Sequence, residues 1–259
     1  MMTMMRFLKE SAAVSVAELH KIARDPTEMF SRAIQPVLWL VIFGQVFSRV
    51  RDIPTGDVTY LAFMTPGILA QSVLFSAIFY GIAVIWERDL GIVQKLLVSP
   101  AHRSALVLGK ALSAGLRGLV QAVIVYVIAW LLDIHLRWDI IPILEVLLAV
   151  ILGSCIFSTF SLIIACIVKT RERFMGIGQV LTMPLFFASN AIYPLEMMPD
   201  WLKLVARLNP LSYLVDALRG AMILGGHSTH GLFLDFGIMA AVFLLMLVVA
   251  AKLYPGLAR

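Results

Sequence analysis

Glu87, Arg88 and Asp89 stand side by side at the end of a long apolar run, with Gly91, Lys95 and Pro100 following closely. Charged side chains in such a place can bind phosphate, hold a metal, move protons or meet a partner, and the surrounding residues decide among these. Phosphate binding through a glycine-rich loop needs G-x-x-x-x-G-K-[ST]; Gly109-Lys110 is followed by Ala111 and lacks the upstream glycine. Acid–base chemistry needs a base converging on an acid. Asp133, Asp139, Glu145, Glu196, Asp200 and Asp216 fall at helix ends or in loops without one. His227 and His230 form an H-x-x-H read as lacking acidic or cysteine company, so no metal ligand set is expected. Cys155 and Cys166 lie in one helical stretch, too far apart to bridge, and read as small buried hydrophobes. No catalytic residue is assigned. What remains is a helix over 87–99 with Leu90, Val93, Leu96 and Leu97 at helical spacing. Acids sit in its first turn, Lys95 lies near its end and Pro100 stops it. One plain account is a capped helix at a membrane boundary; the other is a surface shaped to press on something.

The elements that hold this stretch are membrane spans. The chain of 259 residues is 61% hydrophobic and 14% charged, against about half and a quarter in soluble domains. Charge-free runs at Tyr60–Trp86, Val146–Val168 and Phe174–Leu195 each reach the roughly 20 residues that cross a bilayer. Shorter runs at Ala33–Ser48, Gly118–Leu132 and Phe236–Ala251 reach that length with their flanks. The expectation is an all-α integral membrane protein of six transmembrane helices; alternating strands of a barrel are absent. Lys and Arg collect before helix 1, between 2 and 3, between 4 and 5 and after 6. Both termini, and the 87–99 helix, are therefore expected in the cytoplasm of a multi-pass protein of the inner (plasma) membrane. The same distribution assigns the basic pI to membrane topology, with no nucleic-acid partner. The first residues lack a leader-peptide pattern.

Residues 1–25 form an N-terminal cytoplasmic segment and 26–259 the transmembrane domain. Val16, Leu19, Ile22 and Ala23 share one face of a short helix, with Glu18, Lys21 and Arg24 elsewhere, the pattern of an amphipathic helix lying in the interface with membrane lipids. Asp25-Pro26-Thr27-Glu28 starts a new helix, with a bend expected at Pro36 and a kink in the second span at Pro66-Gly67. Ser154, Ser158, Ser161 and Ala165 share a small face suited to close helix packing. Residues 196–220 read as an outer re-entrant or surface-lying helical hairpin, its two pieces Pro199–Leu208 and Pro210–Arg219 each opened by proline. Phe75, Phe79, Tyr80 and Met183 are candidates to contact a substrate. Ser189 and Asn190, beside Phe186 and Phe187, are either an outer gate or a polar helix end. Arg117, inside a span, either snorkels or pairs within the bundle.

Glu87-Arg88-Asp89-x-Gly91, Leu96-Leu97-Val98-Ser99-Pro100 and Gly109-Lys110 resemble the cytoplasmic signature of type-2 ATP-binding-cassette exporter permeases. These include the daunorubicin-resistance and nodulation-factor permeases. Asn209 to Gly220, "NPLSYLVDALRG", is similar to that family's external segment before the last helix. Many members carry Thr and an acid where Ile92 and Gln94 stand here. The resemblance implies that 87–99 is a coupling helix. Glu87, Arg88, Asp89, Gly91, Lys95, Leu97 and Pro100, with the interfacial helix, would then face a separate ATPase subunit. It further implies two ATPase copies that bind ATP and Mg²⁺, no cofactor on this chain, and a second permease copy as homodimer or related heterodimer. The activity implied is ATP-driven export of a hydrophobic or amphipathic drug- or lipid-like molecule. Export of a lipid-linked polysaccharide or oligosaccharide is the alternative. More distant are a membrane-embedded enzyme and an ion-coupled transporter, for which neither a convergent catalytic set nor a midplane ion site is evident.

Overall fold

The computed structural model describes residues 11–12, 15–16, 34–47, 58–98, 102–168 and 170–258. Among these the regular structure is helical: α1 (Ile34–Phe47), α2 (Tyr60–Asp89), α3 (Ile92–Val98), α4 (Arg103–Leu131), α5 (Ile140–Ile167), α6 (Arg171–Phe187), α7 (Asp200–Leu208), α8 (Pro210–Met222) and α9 (Leu232–Leu253). Four helices among the described residues, α2, α4, α5 and α9, are long and apolar enough to cross a membrane. α1 is apolar but shorter, and α6 has 17 residues.

α5 lies at the centre, packed against α2, α4, α8 and α9. Its small residues make this possible. Ser154, Ser158, Ser161 and Ala165 are all buried, and the Ser161 hydroxyl donates to Ile78 O at 2.5 Å while accepting from Gly81 N at 3.0 Å. With no hydrophobic force between helices in lipid, such close contacts and hydrogen bonds hold the bundle.

α2 begins at Thr59, whose hydroxyl accepts from Ala62 N at 3.3 Å, and runs unbroken through Pro66. At Pro66-Gly67, where a kink is expected, the helical assignment continues and the glycine is a packing site. A Cβ on Gly67 would lie 2.1 Å from Ala191 O, so glycine lets the turn after α6 settle directly on the helix. Within α1, past Pro36, Trp39–Gly44 is π-helical.

The stretch between α6 and α9 divides in two. α7 leaves Trp201, Leu204, Val205 and Leu208 exposed, so the apolar face turns away from the bundle, as suits a helix lying at a lipid boundary. α8 is buried from Leu214 to Met222. Its N-cap, Asn209, accepts from Leu211 N at 3.0 Å and donates through Nδ2 to Leu185 O at 2.6 Å and Ala188 O at 3.1 Å, binding the start of α8 to the end of α6.

Candidate functional site

The charged stretch folds differently from the reading above. Glu87, Arg88 and Asp89 are the last turn of α2, and the short helix begins only at Ile92. The chain reverses at Leu90-Gly91, where Gly91 has φ +72. A glycine in the left-handed region ends a helix at no steric cost, and this is why the expected single helix over 87–99 is split. The acids therefore do not complement the dipole of α3. They are held by other partners.

Lys110 Nζ lies 2.5 Å from Glu87 Oε2, with side-chain exposures of 3% and 9%. This ion pair closes the α2–α3–α4 hairpin at its base, with Lys110 5.7 Å from the Tyr80 ring. Arg88 bonds Asp89 Oδ1 at 3.1 Å and donates to Val168 O at 3.4 Å. Asp89 Oδ2 meets Arg171 Nη2 at 2.7 Å, and the Arg171 guanidinium lies 3.6 Å over the Trp86 ring. The three charges thus tie the end of α2 to the starts of α4 and α6. Exposed pairs such as Asp89–Arg171 add little stability individually, while the buried pair fixes geometry.

α3 sits on this frame. Val93 is fully buried, in a cluster with Val84, Ile85, Leu106 and Val107 and with Tyr254 and Leu257 beyond α9. Leu96 and Leu97 are half-buried, while Leu90, Ile92, Gln94, Lys95 and Val98 face outward. The outer surface of α3 therefore combines Ile92 and Val98 with Gln94 and the Lys95 cation, and a single buried valine anchors the helix. Gly91→Ala is expected to cost about 1–2 kcal/mol through the left-handed φ. The measurement is thermal unfolding of the purified chain, and an unchanged melting point would show that the turn relaxes freely.

The other candidates are placed as follows. Glu18, Lys21, Arg24 and Pro100 lie outside the described residues. Of the N-terminal segment, Ser15 is buried and donates to Ser11 O and Gly109 O, both at 3.0 Å, so this part lies against the start of α4. Phe79 and Phe187 are exposed and Phe75 is half-buried; Phe186 is buried, edge-on to Trp39 at 5.9 Å. None of these four lines the apolar cleft of about 570 Å³ between α4 and α5, where Tyr126, Trp130 and Trp138 stand. Ser189 and Asn190 are buried at the end of α6, where Ser189 Oγ donates to Phe186 O and accepts from Ala191 N. Asn190 O accepts from Arg219 Nη2 at 2.7 Å, and Arg219 stacks 3.9 Å over Phe63. Arg117 stays within the bundle, 5.0 Å over the Tyr80 ring.

Sequence reasoning missed two arrangements. Lys110 reads in sequence as a motif residue and one of the basic residues between the second and third spans, and nothing in a chain separation of 23 residues marks it as the partner of Glu87. His230 was read as lacking acidic company, yet its Nδ1 lies 3.2 Å from Asp216 and 3.9 Å from Asp235. The sequence carries no periodicity that joins a loop histidine to carboxylates on two helices.

Comparison with known proteins places this geometry in context. The profile of the family described as ABC-2 type transporter matches residues 10–223. The ycf38 transport permease of Cyanophora paradoxa is 30% identical over 77% of this chain and 69% of its own length. The doxorubicin resistance ABC transporter permease DrrC of Mycobacterium tuberculosis is 26% identical over 78% of this chain and 72% of its own. Nodulation protein J of Neorhizobium galegae is 23% identical over 88% and 86%.

Proposed function

Because this chain belongs to the ABC-2 type transporter family, we propose that it is the membrane-spanning permease subunit of an ATP-driven exporter, working with a separate ATPase that supplies the energy. One observation carries the reading: α3 projects Ile92, Gln94, Lys95 and Val98 outward from a hairpin whose two long helices are locked by the buried Glu87–Lys110 pair. A push on such a helix reaches the long helices through Val93, which packs among Val84 and Ile85 of α2 and Leu106 and Val107 of α4. α3 faces the cytoplasm in this reading, with both chain ends on the same side, following the bias of Lys and Arg. Six crossings are completed by α1 and α6, each short by itself but apolar or flanked by charge.

Two permease chains and two ATPases form the complex, the ATPases binding ATP and Mg²⁺. The cargo is a hydrophobic or amphipathic small molecule. Support comes from the apolar helices and from the relative named for doxorubicin resistance. Exposed Phe79 of α2 and Phe187 of α6 are the aromatics assigned to cargo or to the second permease.

The test is ATP hydrolysis and dye transport in vesicles holding this chain and the ATPase encoded nearest to it. Wild type is expected to retain the ATPase on co-purification and to transport on ATP, and the Glu87→Ala, Arg88→Ala double variant to lose coupling. Lys95→Glu, on the outer surface of α3, is expected to weaken ATPase binding while leaving the melting point unchanged. Transport that proceeds without ATP, or without an associated ATPase, sinks the proposal.

A further inference from the structure

At the end of the bundle away from α3, Asp216 of α8, His230 of the connecting loop and Asp235 in the first turn of α9 converge. One ligand-type atom from each lies within 4.8 Å of the others. Both carboxylates are buried, at 1% and 0% exposure, whereas the imidazole side chain is 32% exposed and opens the cluster to the outside.

Hydrogen bonds that order the loop account for part of this arrangement. Asp216 accepts from Thr229 N at 2.7 Å, Thr229 Oγ1 at 2.9 Å and His230 N at 3.2 Å, all in the loop just before α9. Ser228 Oγ donates to Asp235 Oδ2 at 2.7 Å, lies 3.4 Å from Asp216 Oδ2, and accepts from Gly231 N at 2.7 Å. These loop bonds leave two things unexplained. Asp235 Oδ1 is fully buried and makes no hydrogen bond. It looks toward His230 Nδ1 at 3.9 Å, and that same nitrogen is 3.2 Å from Asp216 Oδ2. A buried carboxylate oxygen without a donor is costly, and two adjacent buried carboxylates repel unless a cation stands between them. Arg219 is directed elsewhere, onto Asn190 O and the face of Phe63.

We propose that Asp216, His230 and Asp235 bind a divalent transition-metal ion of the zinc or manganese class. Bonds of about 2.0–2.2 Å to such an ion set its ligand atoms roughly 3–4 Å apart, a small contraction from the spacing seen here. One imidazole with two carboxylates suits this class, whereas calcium takes about 6–8 oxygens. Water fills the open side near His230. The ion staples α8, the loop and α9 together, fixing the outer hairpin against the last helix. His227, three positions before His230, is exposed and takes no part.

The experiment uses the full-length chain in detergent, stripped with chelator and re-equilibrated in separate arms with Zn²⁺, Mn²⁺ or Ca²⁺, then desalted. Metal per chain is read by mass spectrometry, alongside the melting temperature. One Zn²⁺ or Mn²⁺ per chain is expected, with a higher melting temperature than the stripped protein. His230→Ala and Asp235→Asn are expected to lower affinity more than about 100-fold, a greater loss than outer-shell changes cause. His227→Ala keeps the ion. His230→Ala removes an exposed ring, so it carries the test even where Asp235→Asn fails to fold. Sub-stoichiometric metal in wild type, or equal retention by wild type and His230→Ala, overturns the proposal. So does an Asp235→Asn chain that melts higher without any ion, since the carboxylates are then joined by a shared proton. None of these readouts depends on ATP or transport, so the site and the exporter reading fail separately.

Discussion

Glu87→Ala is expected to destabilise the folded chain by about 3–5 kcal/mol, the range for removing one partner of a buried ion pair. The mechanism is the charge left behind. Lys110 is almost wholly enclosed, between the Tyr80 ring and the base of the hairpin, and its ammonium loses the carboxylate 2.5 Å away. The cost of holding that charge out of water is set by burial, so Glu87→Gln, which keeps shape and loses charge, is expected to fall between wild type and Glu87→Ala. Lys110→Met with Glu87→Met removes both charges and fills the volume with apolar atoms, which restores most of the lost stability. Thermal unfolding in nanodiscs measures all four chains. If Glu87→Ala melts with wild type, the pair holds nothing together. If the Met–Met chain melts normally but no longer couples ATP hydrolysis to transport, the charges themselves have a part in transmission beyond closing the hairpin.

The second large effect is expected at Asn209. Its Oδ1 caps α8 and its Nδ2 satisfies two carbonyls at the end of α6. Asn209→Ala removes a cap worth about 1 kcal/mol and strands two carbonyls at a buried site, for a total of roughly 2–4 kcal/mol. Asn209→Asp separates the two roles. The aspartate keeps the acceptor for Leu211 N but offers no donor to Leu185 O or Ala188 O, and its charge faces both carbonyls. Because the anion still favours the helix start, its melting temperature is expected between wild type and Asn209→Ala. An Asp variant that melts with wild type means that the α6 contacts are dispensable. An Asp variant no better than Ala means that they dominate the cap.

The helical membrane class was legible because it rests on composition and on runs of uncharged residues, properties that need no tertiary information. So were the two helices of the 196–220 region. Pro199 and Asn209-Pro210 mark their starts, and the structure begins α7 and α8 at those positions. The small residues of α5 were readable as a packing face for the same reason, since spacing alone puts them on one side. Reading the 87–99 stretch failed at Gly91. Helical spacing of the leucines continues across that glycine, and whether it takes a left-handed φ depends on where the two long helices leave room for a reversal. The close seat of Ala191 on Gly67 was not legible either, because a glycine beside a proline marks a possible kink and carries no sign of the turn that packs on it from over a hundred residues away.

A helical membrane chain, the family motifs at 87–110 and 209–220, and a short helix between two long ones can all be read without coordinates. Those features follow from local composition and period. The tertiary structure alone decided which charges are structural, because burial and distance are properties of pairs that the chain brings together from afar. Glu87 meets Lys110 across the reversal at Gly91, and Asp89 meets Arg171 across the three helices α3, α4 and α5. His230 meets Asp216 and Asp235 only once α8 has been enclosed by α2, α5 and α9. A charge read in sequence has a sign and a place along the chain; its energy is set by what surrounds it, and only folding supplies that.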